Sequence, residues 1–124
     1  MNISRFCFAM SLACAPLALA GAAAAQSKQS VASSAVQNGK NLFHANGCWE
    51  CHGSAGQGGG LAAPRLIPLK LPFQAFLYQL RTPRNQMPPF EAKVVSNRDA
   101  ADIYAFLKSL PAPPSAASIP LLNN

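Results

Sequence analysis

The chain has 124 residues, a length that favours a single domain, and ten Lys or Arg against four Asp or Glu give it a formal charge of +6. Half the residues are hydrophobic, a figure inflated by the first 25. The basic residues are scattered, which argues against nucleic acid as a partner.

Arg5 gives a basic start, residues 6–24 are almost wholly apolar, and Ala23-Ala24-Ala25 places small residues before polar Gln26. The pattern predicts a signal peptide over 1–25, cut after Ala25, and an exported, periplasmic protein that is soluble once cut. Two membrane alternatives stand beside it. An apolar run of ~20 residues is long enough to span a bilayer if left uncut. Cys14 in Ser11-Leu12-Ala13-Cys14 could carry a lipid, although Ser11 stands where such signals usually carry Leu. Cleavage would remove Arg5 and leave nine basic residues and two cysteines, Cys48 and Cys51, with no pair spare for a structural disulfide. So small a chain buries little surface and gains from a bound apolar group.

Residues 26–34, polar and rich in Ser and Ala, read as a disordered lead-in. Val36, Gly39, Leu42 and Phe43 then recur at helical spacing, which predicts a helix over 35–46. Gly47 suits its end, because glycine accepts the left-handed conformation in which helices often close. Cys48-Trp49-Glu50-Cys51-His52 follows at once. Two cysteines separated by two residues and followed by histidine form the attachment motif of c-type haem. The spacing lets both thiols reach one side of a porphyrin while the next residue brings an imidazole under the iron, making His52 the proximal ligand.

The same cysteines admit other readings. A zinc site needs four ligands, and Cys48, Cys51, His52 and His44 are crowded into nine residues with no second pair from a distant segment. A thioredoxin-like thiol-redox protein needs strands alternating with helices, and no alternating apolar run supports one. Glycines at 53, 56, 58, 59 and 60 lack the Lys and Ser or Thr of a phosphate loop, so they read as a turn that lets backbone pass close to a ligand.

Residues 72–80 predict a shorter helix with Phe73, Phe76, Leu77 and Leu80 on one face, Pro72 in its first turn and Thr82-Pro83 after its end. Met87 is the one methionine outside the leader, which takes Met1 and Met10. It stands in Asn85-Gln86-Met87-Pro88-Pro89-Phe90, where two prolines stiffen the backbone around it. Elimination makes it the candidate second iron ligand. His44 is the rival, but it lies on the helix leading to the proximal side and reads as a surface histidine. An iron without Met87 would be five-coordinate and suit a gas sensor or peroxidase. Ser96 and Asp99 form an acidic capping box, after which Ile103, Phe106, Leu107 and Leu110 form an apolar stripe that Pro111 stops. Residues 112–124, rich in Pro, read as a flexible tail.

Taken together, the haem motif, Met87 and the two flanking helices resemble the class I c-type cytochromes over about residues 36 to 110. The resemblance implies an all-α, small cytochrome c-like fold, with three main helices around one covalently bound haem c and a domain over 35–111. Gly39 and Phe43 match the Gly and aromatic of the family's first helix, and Gly39 would meet Tyr104 of the last. Ala63-Pro64-Arg65-Leu66 resembles the family's Gly-Pro-x-Leu segment, with Ala63 in place of Gly. By that likeness the Pro64 carbonyl would accept a hydrogen bond from His52. The implied function is electron transfer, not catalysis, with iron cycling between Fe(II) and Fe(III) under His52 and Met87 ligation. The implied partners are redox proteins, with the basic surplus suiting an acidic docking surface and Arg65, Lys70, Arg81 and Arg84 bordering the crevice. The protein would be a monomer or, alternatively, a dedicated cytochrome subunit of a periplasmic dehydrogenase or oxidase, with the tail as a docking arm.

Overall fold

The computed structural model describes residues 19–59 and 63–122. The first 18 residues, Cys14 among them, and Gly60 of the glycine run lie outside the described residues. Four α-helices follow in chain order: α1 (Leu19–Ala45), α2 (Cys48–His52), α3 (Phe73–Arg81) and α4 (Asn97–Ser109). Among the described residues no strand forms, and the nearest approach to one is a single antiparallel bridge between Gly59 and Ala63.

Helix α1 is longer than the sequence predicts, because residues 26–34 continue it instead of forming an irregular lead-in. No Gly or Pro interrupts the chain between Gly21 and Gly39, and alanine has the highest intrinsic helix propensity. The side chains at 29–34 are exposed, so this part is held by local bonds and not by packing. Ser33 Oγ donates to Ser30 O and Ser34 Oγ to Val31 O, each at 2.8 Å. The helix closes at Ala45, and Gly47 follows in the left-handed conformation at φ 70°.

Helices α1 and α4, from opposite ends of the domain, form the most extensive packing pair. Phe43 of α1 meets Phe106 of α4 at a ring-centroid distance of 5.7 Å, and Asn38 Nδ2 donates to Asp102 Oδ2 at 2.7 Å. Gly39 sets how near the helices come. A Cβ built on it would overlap the Asp102 carbonyl and lie 2.9 Å from Ile103 N, so only glycine fits. Its neighbour is thus the α4 backbone, a correction to the expected contact with Tyr104. Each helical residue turns by about 100°, which carries Tyr104 away from α1 towards α3. There its ring packs on Phe73 and Phe76 at 5.5 and 5.4 Å, and its hydroxyl donates to Leu71 O at 2.9 Å.

The capping box is fully formed. Asp99 N donates to Ser96 Oγ at 3.1 Å, Ser96 N to Asp99 Oδ2 at 3.0 Å, and Ser96 Oγ to the same oxygen at 2.7 Å. Ser96→Ala is expected to cost about 1 kcal/mol, a fall of roughly 4–8 °C in Tm for a domain of this size; thermal denaturation followed by circular dichroism checks it. The predicted stripe on α4 buries Ile103, Phe106 and Leu107, to which the structure adds Ala100. The core is completed by Phe43, Leu69, Phe76, Leu80 and Val95. Beyond α4, Ala116–Ser118 and Pro120–Leu122 form single 3-10 turns without a buried residue.

Candidate functional site

One large concavity opens in this core. It encloses about 900 Å³, near the upper end of the ~300–1,000 Å³ usual for small-molecule and cofactor sites. Each element gives it one wall. Phe43 comes from α1, and Cys48, Cys51 and His52 come from α2. The 63–71 segment adds Pro64, Leu66 and Leu69, and α3 adds Phe76 and Leu80. Met87, Pro88 and Phe90 close the side between α3 and α4, and Ile103 and Leu107 form the floor from α4. The structure thus brings Cys48, Cys51, His52, Pro64 and Met87 to one cavity, although 39 positions separate the first of these from the last (87 − 48 = 39).

The five-residue helix α2 holds the motif compactly, and its last residue is the one buried polar side chain among the described residues, His52. Its Nδ1 lies 3.0 Å from Pro64 O. A carbonyl only accepts, so Nδ1 must carry the proton in this bond, and in the neutral ring Nε2 is left with a lone pair able to coordinate a metal. The 63–67 segment is held in place by the glycine turn: Leu66 N and Ile67 N both donate to Gly56 O, at 2.8 and 3.3 Å, and Gly58 N donates to His52 O at 2.8 Å. The expected turn is therefore a bracket that returns Pro64 to the motif.

Cys48 and Cys51 are free thiols, the first half-buried and the second exposed. Burial pushes the Cys48 thiol above its ordinary pKa; a hydrogen bond to its own backbone lowers it in part, and the neighbouring Cys51 raises it. Also in the cavity lining, the half-buried Met87 receives a long contact from Gln79 Nε2 to its sulfur, 3.9 Å. Gln79, a cavity-lining residue, is missed by sequence reasoning. The signal was a polar residue on α3 between Phe76 and Leu80, on the side turned to the core.

His44 does not line the cavity. Its ring stacks on Trp49 at 6.1 Å and meets Phe43 edge-on at 6.2 Å. Among the described residues no three His, Cys, Asp or Glu side chains are arranged to hold a metal ion, so the zinc reading has no cage. Arg65, Lys70 and Arg84 reach the cavity, and none of its lining residues is Asp or Glu. Arg81 is not among them, which corrects its expected place at the crevice. Its guanidinium turns instead to Phe90 O at 2.6 Å and Asn97 Oδ1 at 2.8 Å.

The donor set fits a haem. Two thiols at the wall, an imidazole nitrogen with a fixed tautomer, a thioether and a largely apolar enclosure with a few basic and amide side chains are what a flat, largely apolar, iron-bearing macrocycle needs. Comparison with known proteins points the same way. Residues 34–107 match the family described as cytochrome C oxidase, cbb3-type, subunit III. The chain is 34% identical to cytochrome c-555 of Methylococcus capsulatus over 89 residues, 71% of this chain and 72% of that one. It is also 37% identical over 83 residues to the cytochrome bc1 complex cytochrome c subunit of Corynebacterium efficiens, and 36% identical to that of Corynebacterium diphtheriae. These alignments cover 64% of this chain but span only 27% and 29% of the two bc1 subunits. No solved structure matches the chain.

Proposed function

This chain belongs to the class I c-type cytochrome family, and from that membership we propose that it is an exported single-haem electron carrier with His52 and Met87 as its iron ligands. Family members bind haem and carry electrons without catalysing a reaction of their own. The observation that carries the finer reading is the convergence of Cys48, Cys51, His52 and Met87 on one apolar cavity.

Bound there, the haem supplies a one-electron couple at its iron. The residues supply the rest. Cys48 and Cys51 would hold it through thioether bonds, so it cannot dissociate between partners. His52 Nε2 and the Met87 sulfur would hold the iron, a donor pair that serves both oxidation states with little rearrangement. Pro64, by accepting from Nδ1, keeps the imidazole in one tautomer and orientation and raises its basicity. Phe43, Phe76, Leu80, Ile103 and Leu107 exclude water. The low dielectric they create, together with thioether ligation, disfavours the more highly charged ferric state and raises the potential.

Arg65, Lys70 and Arg84 at the cavity, with no acid opposing them, suit brief docking on an acidic redox partner through a small interface, typically under ~1,200 Å². Raising ionic strength from 10 to 150 mM shortens the screening length from ~30 to ~8 Å. Electron exchange with an acidic partner is therefore expected to slow by roughly 10-fold or more, as stopped-flow mixing would measure; a salt-independent rate would remove the steering role.

Export rests on the leader pattern over 1–25, and N-terminal sequencing of the secreted protein tests the cut after Ala25. Among the described residues no helix is long and apolar enough to cross a membrane. The relatives named as bc1 subunits favour a second reading, an electron-carrying subunit fixed within an oxidoreductase. Gel filtration of native extract separates the two, since a carrier elutes near its own mass and a subunit with its enzyme. The central test is the absorption spectrum of the exported protein. A Soret band that stays with the chain through acid-acetone extraction is expected, and its absence would sink the haem reading.

A further inference from the structure

The segment carrying Met87 leaves α3 after Arg81 and rejoins the core at Val95. Pro88 and Pro89 follow the methionine directly, and proline has no backbone N–H. Phe90 is therefore the first residue beyond Met87 that can both donate and accept a main-chain hydrogen bond. The structure uses it for both. Phe90 N donates to Leu80 O at 2.9 Å, and Phe90 O accepts from Arg81 Nη1 at 2.6 Å. The other arm of the same guanidinium, Nη2, donates to Asn97 Oδ1 at 2.8 Å, in the first residue of α4. Between these ties, the one other hydrogen bond to residues 83–89 is the long contact from Gln79 to the Met87 sulfur.

We propose that Arg81 is a positioning residue for Met87: its guanidinium is a latch that closes the methionine loop onto α3 and α4 and so keeps the thioether at the iron. The inference rests on Met87 being the axial ligand. The planar fork is suited to the task, because one rigid group spans two acceptors on different elements with little entropy left to lose. Both bonds are charge-assisted; the one to Phe90 O is part-buried and the stronger arm of the latch, while the one to Asn97 is exposed. With the latch open, the loop keeps only the Phe90–Leu80 bond and the weak sulfur contact. Met87 then leaves the iron by a local opening, without unfolding of the α1–α4 pair.

The test uses the haem-loaded ferric protein with Arg81→Gln, Arg81→Lys and Asn97→Ala, mixed with excess imidazole. At saturating imidazole, the loss of the thioether-ligated spectrum proceeds at the rate at which Met87 departs. Losing two charge-assisted bonds is expected to speed that departure by ~10- to 100-fold in Arg81→Gln. A smaller acceleration is expected for Arg81→Lys, which keeps the charge but not the fork. Asn97→Ala should come lowest, because the bond to Phe90 O survives. Guanidinium unfolding run in parallel separates latch from scaffold: acceleration beyond what the change in global stability accounts for supports the latch. Rates indistinguishable from wild type, or rates that merely follow global unfolding, would overturn it. Should Arg81→Gln not accumulate, Arg81→Lys and Asn97→Ala decide alone, and wild-type exchange in both overturns the latch. A Met87→Ala spectrum identical to wild type is a different failure, since it removes the ligand assignment and the latch with it.

Discussion

Met87→Ala is expected to keep its haem, because the proposed attachment through Cys48 and Cys51 does not involve residue 87, yet to lose the low-spin, six-coordinate spectrum. Met87 is the one thioether outside the leader, and His44, the rival, sits beyond the cavity wall against Trp49 and Phe43. Among the described residues no second thioether lines the cavity. The effect on external ligands should be large. If the wild-type iron is open about 1% of the time, a ligand's apparent affinity is reduced by that fraction, and removing the methionine raises it ~100-fold. An imidazole titration of the ferric variant reads this directly. The reduction potential should fall at the same time, since a thioether favours the ferrous state. An unchanged spectrum would mean that another group holds the sixth position.

The second large effect is expected at Gly39. Alanine there gains about 1 kcal/mol in helix propensity, so an exposed site would be stabilised. Here its Cβ would overlap the Asp102 carbonyl, which belongs to the backbone of α4 and cannot rotate aside. The helices must move apart, loosening Phe43 from Phe106 and Asn38 from Asp102. Overpacking of this kind costs about 1–3 kcal/mol and occasionally more, and backbone against backbone belongs at the severe end. A net loss of about 2 kcal/mol is expected, or roughly 10 °C in Tm, with Gly39→Val worse. Calorimetry of the haem-loaded protein checks it, and an unchanged Tm would show that the helices do not rely on this closeness.

How much of this was readable in the sequence depended on whether the determining contacts were local. The haem motif, the Ser96–Asp99 box and the α4 stripe all lie within one or two helical turns, and spacing alone placed them. Met87 could be reached by elimination, because so few thioethers exist in the chain. The failures involve contacts between distant segments. Tyr104 was matched to Gly39, but which face of α4 meets α1 depends on how the helices cross, which periodicity leaves open. Arg81 is expected at the crevice with the other basic residues, whereas the chain's return at Phe90 gives it a carbonyl to hold. Residues 26–34 misled in another way: their serines suggest disorder by composition, yet each can bond back to its own helix, and the alanines favour continuation. Ile67 and Leu69 are buried, although the prolines at 64 and 68 conceal them from any periodic search.

Ile103 and Leu107 of the last helix supply part of the cavity lining, whereas the nearer of the two thiols, Cys51, lies 52 positions earlier (103 − 51 = 52). A polypeptide is made amino-terminus first, so both sulfurs exist well before α4, which supplies that part of the lining, has been synthesised. A group held at those sulfurs would find its enclosure unfinished until the last helix docks, so the order of elements along the chain sets the order in which the cavity is assembled.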